Sequence, residues 1–202
     1  MNNSVSVIIP THNRAHCLPR AIDSVLEQTQ PANEVFVIDD GSTDDTESLI
    51  KNKYPSVIYI KQTQQGASAS RNCGIRKSKS DWVALLDSDD AWHQNKLEKQ
   101  WIELQRQPTL LCHSDEIWIR NGRRVNPMKK HRKSSENLFN RSLELCLISP
   151  SSALIHRSLF ERIGYFDETL PACEDYDLWL RITANHATSY VNETLITKYG
   201  GH

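Results

Sequence analysis

The run Trp82-Val-Ala-Leu-Leu86, followed at once by Asp87-Ser-Asp-Asp90, leaves a folding chain few options. An apolar run this short, bounded by polar residues, reads as a buried strand of a parallel sheet. The carboxylates then stand at its C-terminal end, where open α/β sheets bind their ligands. Asp87 and Asp89 are two apart, so in extended chain their side chains point the same way. Left unpaired, such crowded carboxylates repel. A divalent cation with oxygen ligands is the simplest remedy, and such a cation commonly bridges nucleotide phosphates. The bland alternative is an acidic turn capping the next helix, and Asp-x-Asp alone does not exclude it.

The first half repeats that plan. Val5 to Ile9 reads as a strand stopped at Pro10, followed by the loop Thr11-His-Asn-Arg14. A helix with Pro19 near its start runs to about Gln28, with Ala21, Ile22, Val25 and Leu26 on its apolar side. Glu34 to Ile38 is a second strand ending in Asp39 and Asp40. The next helix is expected to take Ser42 or Thr43 as its cap. Val57 to Ile60 is a third strand, Gly66 opens a small-residue helix carrying Arg71, and Gln94 to Gln107 is helical with Leu97, Trp101 and Leu104 on one face. Strands alternating with helices predict parallel βαβ units, a Rossmann-like α/β sheet flanked by helices.

The second half loses this rhythm. Leu110 to Ile119 and Arg123 to Val125 flank Asn121-Gly122 and read as a hairpin. Arg120 to Lys133 is strongly basic and contains no acid. Ser135 to Leu147 is expected to be helical, Ser152 to His156 a strand, and Glu174 to Asn185 a helix opening on three acids. The organisation expected is a nucleotide-binding half, 1–107, and an acceptor-side half, 108–202, with a smaller mixed sheet.

A formal net charge of −1 predicts no nucleic-acid partner. No apolar run reaches the length of a spanning helix, no signal peptide opens the sequence, and five scattered cysteines offer neither zinc spacing nor a disulfide framework. A reducing cytoplasm fits these features best.

Parallel strands share one rim at their C-terminal ends. Thr11-His-Asn-Arg14, Asp39-Asp40 and Asp87-Ser-Asp-Asp90 therefore converge, and with Arg71 they suit a nucleotide diphosphate. Neither a Walker-type lysine loop nor Gly-x-Gly-x-x-Gly follows the first strand, which argues against P-loop chemistry and a dinucleotide cofactor.

The motifs Val7 to Arg14, Val37 to Asp44, Gly66 with Ala69 to Gly74, Leu85 to Asp90 and Cys173 to Arg181 together resemble family 2 glycosyltransferases of the GT-A fold. The resemblance covers nearly the whole chain, in the family's order. It implies inverting transfer of a sugar from a nucleotide diphosphosugar, a UDP-sugar by preference, dependent on Mg²⁺ or Mn²⁺. Thr11 and Arg14 would lie at the nucleotide edge, Asp39 and Asp40 would read the base, and Arg71 would contact base or phosphate. Asp87 would bond the ribose and Asp89 the metal. Pro10, Asn13, Gly66 and Ser88 join the nucleotide-binding set. Asp175 would be the general base, with Glu174 beside it; an acid at a helix start also simply favours the dipole. Lys198-Tyr-Gly-Gly-His202 looks like a run where some relatives place a histidine near the metal, so His202 is weighed as a ligand against a frayed terminus.

Weaker signals carry two readings each. Trp92 either packs under the sugar or belongs to the core. His12 and His16, four apart, could form a helical metal pair, but the early loop and Pro19 favour polar loop residues. The stretch 120–133 is a solvated loop or a contact for an anionic membrane face or diphospho-lipid acceptor. The expected function is a glycosyltransferase of cell-surface polysaccharide synthesis, acting on a saccharide or lipid-linked acceptor in the cytoplasm or at the inner membrane face. The rivals are a sugar nucleotidyltransferase and a non-catalytic sugar-nucleotide-binding module.

Overall fold

The computed structural model describes residues 4–125, 128 and 131–200. Alternating strands and helices fill the first half: β1 (Val5–Thr11), α1 (Leu18–Leu26), β2 (Glu34–Asp39), α2 (Thr46–Lys53), β3 (Ile58–Lys61), α3 (Ala67–Lys77) and β4 (Trp82–Leu85). A two-residue strand β5 (Ala91–Trp92) and α4 (Lys96–Arg106) follow. The second half holds β6 (Leu111–Arg120), β7 (Arg123–Val125), α5 (Leu138–Ser142), β8 (Leu154–His156), α6 (Ser158–Ile163), α7 (Glu174–Thr183) and β9 (Ser189–Tyr199).

All strands join one sheet in the order β3-β2-β1-β4-β8-β6-β9-β5, with β7 paired to β6. β1 to β4 run parallel. β8 is antiparallel to both β4 and β6, and β9 is parallel to β6. Two reversals restore direction, so β6 and β9 end on the same rim as β1, β2 and β4. The mixed part is thus continuous with the parallel part, and the late strands reach the early strand ends.

The apolar runs are uninterrupted because both faces are covered. Val5, Val7, Ile9, Val37, Trp82 and Ala84 pack with the apolar sides of α1 and α4. Their neighbours Ile8, Phe36, Ile38, Val83 and Leu85 face α3, α6 and α7. Helix α3 lies so close to β1 that a Cβ on Gly74 would meet Ile8 Cγ2 at 2.6 Å.

Several expectations are corrected. β1 continues through Pro10 to Thr11, because pairing with β4 ends at Ile8 and the missing proline N–H faces no rung there. Helix α2 starts at Thr46, where Asp44 accepts from the Thr46 backbone and hydroxyl at 3.1 and 2.6 Å; Ser42 and Thr43 bind Asn13 instead. The helix expected over 135–147 is confined to Leu138–Ser142, behind Asn137 at φ 49°. The 11-residue β9 was not anticipated. Trp92 is a core residue, 4% exposed, with its indole N–H donating to Ser151 O at 2.9 Å. Of the basic stretch, residues 126, 127, 129 and 130 lie outside the described residues, while Lys133 is buried against Glu116 at 2.7 Å.

Candidate functional site

The loops after β1 and β2 are stitched together. Asn13, at φ 51°, donates its backbone N–H to Ser42 Oγ and accepts from Thr43 N at 2.8 Å. Asp39 is fully buried and accepts from Ser42 N at 2.8 Å and the Tyr59 hydroxyl at 2.5 Å. Burial, reinforced by that carboxylate, pushes the Tyr59 phenol far above its ordinary range. Asp40 accepts from Gln62 Nε2, Gln65 N and Gly66 N at 2.7–2.9 Å. Gly66 makes that approach at φ 95°, a conformation that favours glycine. The two aspartates thus hold the loops that wall the rim. Thr11 Oγ1, at the end of β1, is buried without a hydrogen-bond partner among the described residues.

The acids after β4 are arranged differently from the extended geometry expected of them. Asp90 N donates to Asp87 O at 3.0 Å, closing a turn, and Asp87 and Asp89 meet different partners. Asp87 accepts from Arg71 at 2.9 Å and lies 3.5 Å from the Lys198 ammonium. Asp89 accepts from Arg14 at 3.1 Å, and Arg20 holds its carbonyl at 2.7 Å. Asp90 meets Lys198 at 2.5 Å and the Ser151 hydroxyl at 2.6 Å. Ser151 also accepts from Asp87 N, next to the buried Ser88. Basic side chains are therefore what offset the crowding of these carboxylates here. Burial raises the Asp90 carboxyl to about 7, with Lys198 opposing and Asp87 adding to the shift. Burial likewise opposes ionisation of Asp87, yet Arg71 and Lys198 hold it below the usual carboxylate range.

Arg71 ties this turn to helix α7. One guanidinium nitrogen reaches Asp87 and the other Glu174 at 2.5 Å. Asp175 follows at the same helix start and has no basic partner among the described residues. It accepts from Tyr176 N at 2.8 Å and lies 4.0 Å from Cys146 Sγ. Burial, then the neighbouring Glu174 charge, raises its carboxyl above the ordinary aspartate value.

The structure thus brings Arg14, Arg71, Asp87, Asp89, Glu174 and Asp175 to one rim. His202 lies outside the described residues. Sequence reasoning missed Lys198, Ser151 and Tyr59. No local pattern marks these roles, since each side chain meets its acid from 20 or more positions away in sequence.

The family model described as Glycosyl transferase family 2 matches residues 6–164. This chain belongs to that family. An uncharacterized glycosyltransferase of Rickettsia prowazekii, RP339, is 30% identical over 203 residues, covering 95% of this chain and 62% of that protein. The Escherichia coli UDP-Glc:alpha-D-GlcNAc-diphosphoundecaprenol beta-1,3-glucosyltransferase WfgD is 30% identical over 190 residues, covering 93% of this chain and 73% of that protein. The crystal structure of S. aureus TarS 1–349 superposes with a TM-score of 0.83 at 22% identity, over 97% of this chain and 60% of that one. That likeness shows the GT-A fold. The chain spans less than two thirds of several of these relatives: 62% of RP339 and 28% of an uncharacterized Rickettsia bellii glycosyltransferase. Among the described residues, no helix of this family member is long and apolar enough to cross a membrane.

Proposed function

We propose that this chain is the donor-binding and catalytic part of an inverting glycosyltransferase. It moves a sugar from a UDP-sugar to a hydroxyl of a saccharide or lipid-linked acceptor, in cell-surface polysaccharide synthesis at the cytoplasmic side of a membrane. The observation that carries the reading concerns charge. Of Asp87, Asp89, Asp90, Glu174 and Asp175, only Asp175 lacks a basic partner among the described residues. A carboxylate with no cation paired to it, half-buried and raised in pKa despite the opposing charge of Arg71, is suited to take a proton from an acceptor hydroxyl. Inversion asks for one such base opposite the leaving group. The relatives support the donor and acceptor classes: WfgD is named for UDP-glucose and a diphosphoundecaprenol acceptor, and TarS has been crystallised with UDP and UDP-GlcNAc.

In this reading Thr11 offers its unpartnered hydroxyl to the nucleotide, within loops fixed by Pro10, Asn13, Asp39, Asp40 and Gly66. Arg14 and Arg71 face phosphate, and Asp87 and Ser88 face ribose. Mg²⁺ or Mn²⁺ fits beside Asp89, whose Oδ1 has no hydrogen-bond partner among the described residues while Oδ2 meets Arg14. No cluster of three potential metal ligands forms among the described residues. That donor set suits a cation bound through one or two carboxylates, diphosphate oxygens and water, with His202 as a further candidate ligand. When bound, such a cation would stabilise charge on the departing diphosphate.

The test combines UDP-glucose or UDP-GlcNAc, a GlcNAc-diphosphate alkyl acceptor and Mn²⁺ with wild type and Asp175→Asn. Transfer with inverted anomeric configuration by the wild type alone supports the reading. Donor binding without turnover, across a donor panel and acceptor extracts, would sink it and favour a binding module.

A further inference from the structure

We infer that one face of the β6–β7 hairpin is the acceptor subsite, where Trp118 stacks an acceptor sugar and Arg120 with Arg123 takes a diphosphate attached to it. The inference rests on the glycosyltransferase reading and names where its acceptor sits.

Cross-strand partners in a sheet share a face, and residues two apart along a strand share it too. Trp118 pairs with Val125 and Arg120 with Arg123. Across the other edge of β6, Trp118 pairs with Lys198 and Glu116 with Ile196. Glu116, Trp118, Arg120, Arg123 and Lys198 therefore line one face. Lys198 marks its inner end, because its ammonium also meets Asp87 and Asp90 at the donor rim. The strip runs outward from there to two exposed arginines.

The same face leads to the proposed base. Glu116 accepts from Lys133 at 2.7 Å and from Ser149 at 2.5 Å, anchoring the 133–149 stretch over it. That stretch contacts α7: Cys146 lies beside Asp175, and Ser142 O accepts from the Tyr176 hydroxyl. An acceptor lying along the strip would thus have one end near Asp175.

Trp118 is built for contact rather than for filling the core. It is only half-buried, and its indole N–H donates to Glu116 Oε1 at 3.0 Å, which fixes the ring. The Lys198 ammonium and the Arg120 guanidinium each lie 5.5 Å from its ring centroid. A fixed, partly exposed indole suits the apolar C–H face of a pyranose. Paired arginines suit diphosphate oxygens through charge-assisted bonds. The single acid on the strip, Glu116, is already taken by Lys133, Ser149 and Trp118, so it does not repel an anionic ligand.

Calorimetry in the presence of UDP tests this with two probes: GlcNAc-diphosphate bearing a short alkyl chain, and the alkyl GlcNAc glycoside without phosphate. Trp118→Ala is expected to weaken both probes about tenfold. The double variant Arg120→Gln/Arg123→Gln is expected to weaken only the diphosphate probe, again about tenfold. UDP affinity stays within about twofold in each. Trp118→Phe, which keeps a ring, serves if the alanine variant fails to fold and is expected to weaken binding less. Wild-type affinities in the folded variants would overturn the inference, as would a wild type that binds neither probe. Probe binding without any sugar transfer would count instead against the catalytic reading.

Discussion

Arg71 and Glu174 are 103 positions apart and meet through a 2.5 Å hydrogen bond, which fastens the start of α7 to the turn after β4. The Arg71 side chain is 6% exposed, and its guanidinium is shared with Asp87. Burial disfavours its charge, but the two carboxylates outweigh that and raise its pKa above the ordinary arginine value. Arg71→Met would leave two partly buried acids without the cation they share. We expect a loss of stability on the order of 3 kcal/mol in urea denaturation, together with loss of donor binding. Wild-type stability in this variant would mean that water already neutralises the pair.

Asp175→Asn separates function from stability. A general base contributes roughly 10²- to 10⁴-fold, so kcat should fall by that order while UDP binding is retained. The wild-type carboxyl titrates above an ordinary aspartate, so kcat/KM should fall as pH drops through a value higher than that of free aspartate. The folded state binds this proton more tightly than the unfolded chain, so ionisation at higher pH costs stability. Asparagine removes that cost. The variant should melt at or above the wild-type temperature at pH 8, and a clear drop there would mean that Asp175 is a structural acid.

How much the sequence tells depends on where each partner lies. β1, β2 and β4 were legible because burial on both faces keeps them apolar without interruption, and the rim acids follow directly from strand direction. β9 was not legible. Its register against β6 jumps from Ser114–Val191 to Asp115–Thr194, so Asn192-Glu193-Thr194 interrupts any alternation. Lys198, named only as the start of the run to His202, was therefore not assigned to the acids, and it sits 111 positions from the Asp87 it meets. The acids and two of their counter-charges, Arg14 and Arg71, were found, but the third, Lys198, comes from a strand that returns to the rim through two reversals. Over 135–147 local propensity favoured helix, yet the left-handed Asn137 and a chain bound for Glu116 leave only Leu138–Ser142 helical.

Gly74 tests the packing of the Ala69 to Gly74 motif rather than its chemistry. A methyl group there would press on Ile8 Cγ2 at 2.6 Å in the middle of β1, with Cγ1 and Cδ1 also within 3.2 Å. The propensity of alanine for helix works in the opposite direction, by about 1 kcal/mol. Overpacking of a tight core is the larger effect, so Gly74→Ala should lose about 1–3 kcal/mol, read as a lower thermal midpoint. Because α3 also carries Arg71, donor affinity should fall with it. An unchanged midpoint would show that the helix can ride outward without cost.

Lys198→Met should produce a destabilisation that depends on pH. Burial raises the folded Asp90 carboxyl to about 7, whereas an unfolded aspartate titrates near about 3.9. The folded state therefore holds that proton more tightly, and stability declines as pH rises through this window. Lys198 limits the decline by favouring ionised Asp90, and Asp87 remains ionised beside it. Without the ammonium, Asp90 and Asp87 lose their shared cation and the decline becomes steeper. The gap between variant and wild type should be smaller at pH 5, where Asp90 is protonated in both and only ionised Asp87 loses Lys198, and grow to on the order of 3 kcal/mol by pH 8. Denaturant midpoints at those two pH values decide the matter. Equal gaps would show that Asp90 does not titrate between them and that Lys198 acts through Asp87 alone.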